Sequence, residues 1–531
     1  MRICGVLIGR MLKPRYLIGF TGHRTGYDES AIKPSLIQVL SDLRQQAERA
    51  GGEIELYASV AEGSDTLCVE VARELGIPVH LLLPLPQAEF AKDFSSPQAW
   101  ERSRRQIEMA QQKPGRDSLR VATGDMTRPE CYYEQGMQIL EAVDVLIALW
   151  DGEKARGLGG TEQIVTQAGN IGVPRVIVDA KTGQTRLEGS LETAFTPDEV
   201  VAELNEVAHH AGSGCAVQAA TADDLQDCLD SIANTEAGRF RPSIVRIILL
   251  HGIAALMAAI VTFKFVEVTS WSALWEKWKW LITAVELALV SYALWLGWRL
   301  HRKHTQEKWI RCRFAAELVR GWRASVPLLD PLAPSVGVHD PKWRRFALSA
   351  ALLVNASRAQ VDTLRLRDDY IATRLSETHP DGQIGHYLKM NRKALRWWNI
   401  TGQISKWSAL LAPPFVFLSL LNKLSKKLPF LDFTGKGGWH WDEIPALWPF
   451  VVLLPIALPL LAGISNGIRQ ALDAGRRKER YPEMARRLTA LRAQLTGLET
   501  RTTIARTVAQ TEEILLDELR EWQLSAKTTG H

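Results

Sequence analysis

The chain has little cysteine, and none of it falls at a functional spacing. Across 531 residues there are six (Cys4, Cys68, Cys131, Cys215, Cys228 and Cys312), with no CxxC pair and no metal-ligand rhythm. A zinc module or disulfide framework is thereby disfavoured, and buried, reduced thiols in a cytosolic compartment are expected. Residues 1–12 lack a sustained apolar core and a cleavage site, so no signal peptide is expected. The GxGxxG dinucleotide fingerprint is missing, as is a GxxxxGK(S/T) phosphate loop with its lysine, which argues against ordinary NAD and ATP enzymes. No metal or catalytic cofactor is expected. Basic residues gather beside apolar segments rather than in a patch of their own, so nothing points to nucleic acid as a partner.

What the chain does have is a change of material near Ser243. Residues 1–240 hold 23 Lys+Arg against 35 Asp+Glu, whereas residues 241–531 hold 41 against 24. The acidic half is turn-rich; the basic half carries four long apolar segments and belongs at an anionic lipid surface. The segments are Ile247–Val266, Trp280–Leu300, Trp407–Leu421 and Ala446–Ile464, to be compared with the roughly 20 helical residues that span a bilayer. Trp271, Trp275 and Trp278 lie between the first two, and Trp439 and Trp441 between the last two, where an interfacial aromatic belt belongs. Cations flank the other ends: Arg239, Arg241 and Arg246; Arg299, Arg302 and Lys303; Arg392, Lys393 and Arg396; Arg469, Arg476, Arg477 and Lys478. The positive-inside bias then puts both hairpin bases, and both chain termini, in the cytoplasm of a bacterial inner-membrane protein. Within the spans, Glu286 is a costly carboxylate that would line an oligomer's lumen or aid helix assembly, and Pro413, Pro414 and Pro455 are candidate gate kinks. Pro449 and Pro459 add to the proline content of the fourth segment.

Helical apolar spacing marks Trp309–Arg323 and Phe346–Leu375 between the hairpins, and Met484–Leu498 and Thr507–Leu524 after them. Leu488, Leu491, Leu495 and Leu498 form a stripe suited to bundle packing or to pairing of subunits.

Residues 15–180 alternate strand-length apolar runs with helical patterns, which predicts a doubly wound, mostly parallel α/β sheet. The runs are Arg15–Phe20, Glu55–Val60, Val79–Leu83, Val145–Trp150 and Arg175–Val178. Ligands of such sheets sit at the carboxyl ends of the strands, and three glycine-bearing loops fall there. The first, Gly19–Arg24, offers Gly19, Thr21, Gly22, His23 and Arg24. The second, Ser59–Asp65, offers Ala61, Glu62, Gly63, Ser64 and Asp65. The third, Ala148–Glu162, offers Trp150, Asp151, Gly152, Gly159, Gly160, Thr161 and Glu162. Glycine turns that lead into helix N-termini suit phosphate, and Arg24 supplies a planar fork for it. Tyr132, with Tyr133 beside it, is placed either to stack a base or to pack a helix face.

The motifs TGHR, AEGSD and LWDG…GLGGT, in that order over residues 14–180, resemble the SLOG superfamily of Rossmann-like domains. That resemblance implies a sensor of a nucleotide-derived signal, such as a cyclic oligonucleotide or an ADP-ribose derivative, or a LOG-type nucleoside-monophosphate phosphoribohydrolase. The LOG motif PGGxGTxxE ends on a glutamate. Here Ile164 holds that position and the leading proline is missing, a departure that favours binding over hydrolysis, with Glu162 and Arg24 as the candidates for turnover. The basic half is similar to SLATT membrane effectors through His386–Asn399, Arg480–Leu495 and Glu512–Trp522, and Arg311–Trp322 reads as part of a diverged second copy. Such effectors accompany SLOG sensors in bacterial antiphage defence. The resemblance implies a homo-oligomeric pore former that answers an upstream signal-producing enzyme; a nucleotide-regulated channel or transporter subunit is the alternative. The expected order is a Rossmann-like domain (1–180), a helical coupling segment (181–242), a first hairpin (243–300), a cytoplasmic helical region (301–400), a second hairpin (401–468) and C-terminal helices (469–531).

Overall fold

A computed structural model describes residues 12–112, 117–121, 127–154, 157–210, 221–262, 272–329, 341–355, 362–425, 447 and 449–528. Its chain divides into two compact units. The first takes Met1–Ser231, Cys312–Ile371 and Leu495–Glu521; the second takes Ile232–Arg311, Ala372–Gln494 and Trp522–His531.

The first unit is built on seven strands. β1 (Arg15–Gly22) and β2 (Glu53–Ala58) are joined by α1 (Glu29–Arg49), and α2 (Ser64–Glu74) leads to β3 (Val79–Leu83). Helices α3 (Gln87–Phe90) and α4 (Pro97–Gln112) precede β4 (Ser118–Val121). Next, α5 (Arg128–Ala142) leads to β5 (Val145–Trp150) and α6 (Thr161–Asn170) to β6 (Arg175–Asp179), followed by β7 (Thr185–Glu188). The order across the sheet is β4-β3-β2-β1-β5-β6-β7, parallel throughout except for the antiparallel β6–β7 pair. Central strands buried on both faces read as unbroken apolar runs because neither side meets water. Along β1, Tyr16, Ile18 and Phe20 enter the core under α1 and α2, while Leu17 joins Tyr57, Leu82, Ile139 and Leu352 on the other face.

Leu352 belongs to α12 (Pro341–Asn355), which follows α7 (Leu191–Ala194), α8 (Glu199–His210), α9 (Ala222–Thr262), α10 (Ser272–Arg302) and α11 (Thr305–Ser325). The expected sequential boundaries are therefore redrawn. The sheet continues past residue 180 into β7, so the segment 181–242 is not wholly helical. Part of the expected separate region 301–400 packs with the sheet instead. The Ser349 hydroxyl accepts the Arg15 N–H at 3.1 Å, and Arg345 reaches Asp144 at 3.3 Å. Helix α13 (Thr363–Thr373) joins the same unit through the Tyr370 hydroxyl, which donates to Glu512 at 2.8 Å. The helical spacing over Phe346–Leu375 falls on α12 and α13, and residues 356–361 lie outside the described residues.

The second unit carries α14 (Gln383–Ser425), a π-helical turn at Pro449–Leu453, α15 (Leu454–Ala471) and most of α16 (Ala474–Thr496); α17 (Arg501–Thr528) follows. Four helices are long and apolar enough to cross a membrane, within Ala222–Val261, Trp280–Arg302, Gln383–Leu424 and Phe450–Thr496. The expected third span, Trp407–Leu421, was short for a bilayer, but its helix continues through Leu424, which supplies the missing length. Residues 263–266 of the first expected span and 446 and 448 of the fourth lie outside the described residues, as do Trp271, Trp439 and Trp441. Neighbours run antiparallel. Ile247 lies 4.0 Å from the position a Gly297 Cβ would take, and Gly252 and Gly467 admit Ile464 and Ile248 where α9 meets α15. Helices α14 and α15 pair through Ser405 and Asn466 at 3.3 Å. The lipid-suited faces remain open: Leu287 is 68 % exposed, Leu294 63 % and Phe417 59 %.

Glu286 is half-buried on α10, on the helix face shared by Ala293 and by Gly297, which turns toward α9. Helix α14 runs through Pro413 and Pro414 without interruption, both exposed. Pro455 opens α15 directly after the π-helical turn. Lacking an N–H for the carbonyl four residues back and crowding it with its ring, Pro455 favours a widened turn at that point.

Candidate functional site

The order of the sheet opens a crevice at one place. From β1 the chain winds outward through β2, β3 and β4, then returns to lay β5 against the other side of β1. Loops leaving β1 and β5 diverge to opposite faces, which is where doubly wound sheets bind ligands. Register pairs Thr21 with Ala148 and Gly22 with Leu149, so His23 and Asp151 leave the sheet side by side. They meet: His23 Nε2 lies 3.0 Å from Asp151 Oδ1 and 3.2 Å from the Asp151 N–H. One ring nitrogen serves only one of these at a time, donating to the carboxylate when protonated and accepting the amide when not. Burial works to raise the Asp151 carboxyl, but the Glu153 N–H and the His23 ring outweigh it and hold the group below the ordinary carboxylate range.

Glycine lets the first two loops touch. A Cβ on Gly22 would stand 2.2 Å from Ser64 Oγ, and one on Gly63 2.2 Å from the Arg24 carbonyl oxygen. Gly63 also has φ +99°, a left-handed conformation that side chains disfavour. Ser64 donates both its N–H (3.2 Å) and its hydroxyl (2.8 Å) to the His23 carbonyl, so the start of α2 is capped by the loop after β1. Ser64 thus builds the crevice wall with both of its donors. Ala61 is buried and accepts the Thr66 hydroxyl at 2.8 Å, and Glu62 accepts the Ser95 N–H at 2.7 Å.

The third loop enters α6 through Gly159, φ +80°, whose Cβ would stand 2.8 Å from the Tyr133 nitrogen. Gly160 takes the N-cap position with no side-chain cap, and Thr161 is buried in the first turn. By contrast α1 is capped by Asp28 and α5 by a Thr127–Glu130 capping box. Among the described residues no side chain caps the positive end of α6, which leaves its first N–H groups to an anion, although Glu162 stands in the same first turn. The Glu162 carboxylate accepts the Thr166 hydroxyl one turn along its own helix at 3.2 Å.

Several side chains sit differently from a simple phosphate cradle. Arg24 is exposed and lies 5.2 Å from the Tyr132 ring centroid, with Nη1 3.4 Å from the Asp93 carbonyl oxygen. One face of Tyr132 thus carries a guanidinium, and its hydroxyl donates to Asp93 at 2.7 Å. Tyr133 packs with Leu140 and Ile164, the helix-face alternative for that residue. Trp150 donates its indole N–H to the Glu153 carbonyl at 2.9 Å and faces Arg186, while Gly152 adopts φ +82°. Gly19 is a packing glycine, with Val143 and Ile139 within 3.2 Å of its would-be Cβ.

Asp65 sits at the start of α2 with Oδ1 sealed from water and unpartnered. Burial pushes its carboxyl up to about 7, against the Arg24 charge and the Gly22 N–H. Sequence reasoning did not find Asp93, Ser95, Arg128 or Gln163. Arg128 bonds Asp93 at 2.6 Å, and Gln163 accepts the Gly159 N–H at 2.7 Å. The DFSS stretch at Asp93–Ser96 has no glycine signature and no periodicity to reveal it, and Gln163 merely follows the motif.

Comparison with models of known protein families finds no match, and no curated protein matches the chain either.

Proposed function

We propose that this chain is a membrane effector of bacterial antiphage defence, gated by a nucleotide-derived second messenger. One observation carries the reading: glycine loops from β1, β2 and β5 converge on the switch-point crevice of a chain that also holds four apolar helices of spanning length. The N-terminus of α6, Gly159, Gly160 and Thr161 take a phosphate; Arg24 supplies an exposed cation at the rim. His23 and Asp151, already paired across β1 and β5, present polar groups to a ribose or base. The resemblance to SLOG sensors and SLATT effectors points the same way, and the cations at the helix ends favour cytoplasmic termini in an inner membrane.

In this scheme the signal binds the crevice, and homo-oligomeric hairpins open a leak that depolarises the cell. A ligand drives such a change only through different affinities for the closed and open states; a few kcal/mol is sufficient. Glu162, bonded along its own helix, supports binding rather than turnover. The test is calorimetric titration of full-length protein in nanodiscs with cyclic oligonucleotides, ADP-ribose and nucleoside monophosphates, with an assay for released base. Saturable binding without base release is expected and should be lost in Arg24→Ala and Gly160→Trp. Base release at enzymatic rates would instead establish a LOG-type hydrolase.

A further inference from the structure

In the second unit, Trp398 on α14 gathers cations from the far end of α15 and the start of α16. The Arg469 guanidinium lies 4.4 Å from its ring centroid and Lys478 Nζ 4.8 Å from the same centroid. Glycine makes the approach possible: a Cβ on Gly475 would stand 3.1 Å from the Trp398 ring, and one on Gly402 3.1 Å from Arg469 Nη2. Arg469 has only a 3.4 Å bond from Nε to the Thr401 hydroxyl, with no carboxylate at ion-pair distance among the described residues. Two cations thus crowd one indole, with no carboxylate at ion-pair distance from either among the described residues, an arrangement short of negative charge.

Depth identifies what supplies that charge. Arg469 lies about 7 Å beyond Ile464, the end of the apolar run, at ~1.5 Å per residue. The headgroup layer is roughly 5–8 Å thick on each side of the hydrocarbon. Tryptophan and long cationic side chains favour that layer, the ring at the interface and the cation among the phosphates. We propose that Arg469 and Lys478, set around Trp398, form a binding site for the phosphate of an anionic phospholipid headgroup. The phosphate accepts from the Arg469 fork, and Lys478 adds a point charge. The lipid then fills the joint where α14, α15 and α16 meet, and holds α15 against α14.

Native mass spectrometry of the full-length protein, released from nanodiscs of phosphatidylcholine doped with phosphatidylglycerol, tests this site. Wild-type protein is expected to retain phosphatidylglycerol at least tenfold over its share of the bilayer. Arg469→Gln combined with Lys478→Gln should abolish that enrichment, and the charge-conserving Arg469→Lys should keep part of it. Equal retention of both lipids by the wild type overturns the site, a reading that needs no variant to fold. Unchanged enrichment in the double variant overturns the residue assignment. Displacement of the lipid by millimolar inorganic phosphate would make this a site for a free anion, and overturn the lipid reading as well.

Discussion

The guanidinium of Arg345 lies 4.2 Å from the centroid of the Tyr16 ring. The two residues are far apart in sequence, one from the stretch between the apolar hairpins, the other from the first strand of the sheet. Arg345 also bonds Asp144 and donates to the carbonyls of Arg15 and Ala194. Helix α12 is thereby fixed to the amino end of β1, whose carboxyl end carries Gly22 and leads into His23. A single strand connects the α12 contact with the crevice.

Removing that guanidinium takes away a cation–π contact and leaves Asp144 short of a partner. Arg345→Ala should destabilise the first unit by about 1–3 kcal/mol, read as a lower thermal midpoint of the sheet unit in scanning calorimetry. The variant should also lose part of its ligand-dependent leakage while still binding nucleotide.

Gly63 offers a sharper test of the crevice. Its left-handed φ and the Arg24 carbonyl 2.2 Å from a would-be Cβ leave no room for alanine. Gly63→Ala should cost about 2 kcal/mol or more and separate the first two loops. Hydrogen exchange should report faster exchange of the Ser64 amide, with α9, α10, α14 and α15 unchanged.

Asp65 predicts a pH dependence of definite sign. Its carboxyl titrates at about 7 in the folded protein and at its ordinary 3.8 when unfolded. The folded state therefore binds the extra proton, and its stability falls as pH rises from about 4 to about 7 and stays low above. Three units correspond to at most about 4 kcal/mol at ~1.4 per unit. Asp65→Asn should raise the thermal midpoint at pH 8 by more than at pH 5, as measured by circular dichroism. An equal change at both values would show that Asp65 is ionised throughout.

The Asp151 carboxylate works in the opposite sense. Held below its ordinary range, it contributes stability above about pH 4, and that contribution is lost as pH falls through its folded value. The His23–Asp151 contact should thus keep its carboxylate through the neutral range, and His23→Ala should weaken nucleotide binding about tenfold with helical content intact.

Much of this fold was legible because its physics is local. Val79–Leu83 and Val145–Trp150 stand as expected, since strands buried on both faces spell apolar runs. The opening strand extends two residues further, to Gly22. Strands β4 and β7 escaped notice. Both are four-residue edge strands carrying an arginine, and exposed edges need no apolar period. The docking of α12 was illegible, because Arg345 and Ser349 look like ordinary helix-surface residues until the amino end of the central strand β1 is placed beneath them. The glycine loops were found from spacing alone. That Ser64 is spent on the His23 carbonyl, and Arg24 on Tyr132, depends on packing between loops distant in sequence. The stripe Leu488, Leu491 and Leu495 is buried within the chain, which favours bundle packing over a free face for subunit pairing.

Leakage from dye-loaded liposomes bearing the full-length protein reports whether crevice occupancy opens the apolar helices. Addition of the nucleotide found to bind should release dye in proportion to crevice occupancy. Arg24→Ala and Gly160→Trp proteins, inserted at equal density, should stay tight. Dye retention at saturating nucleotide, or equal leakage with and without it, would contradict the coupling of this crevice to the four apolar helices.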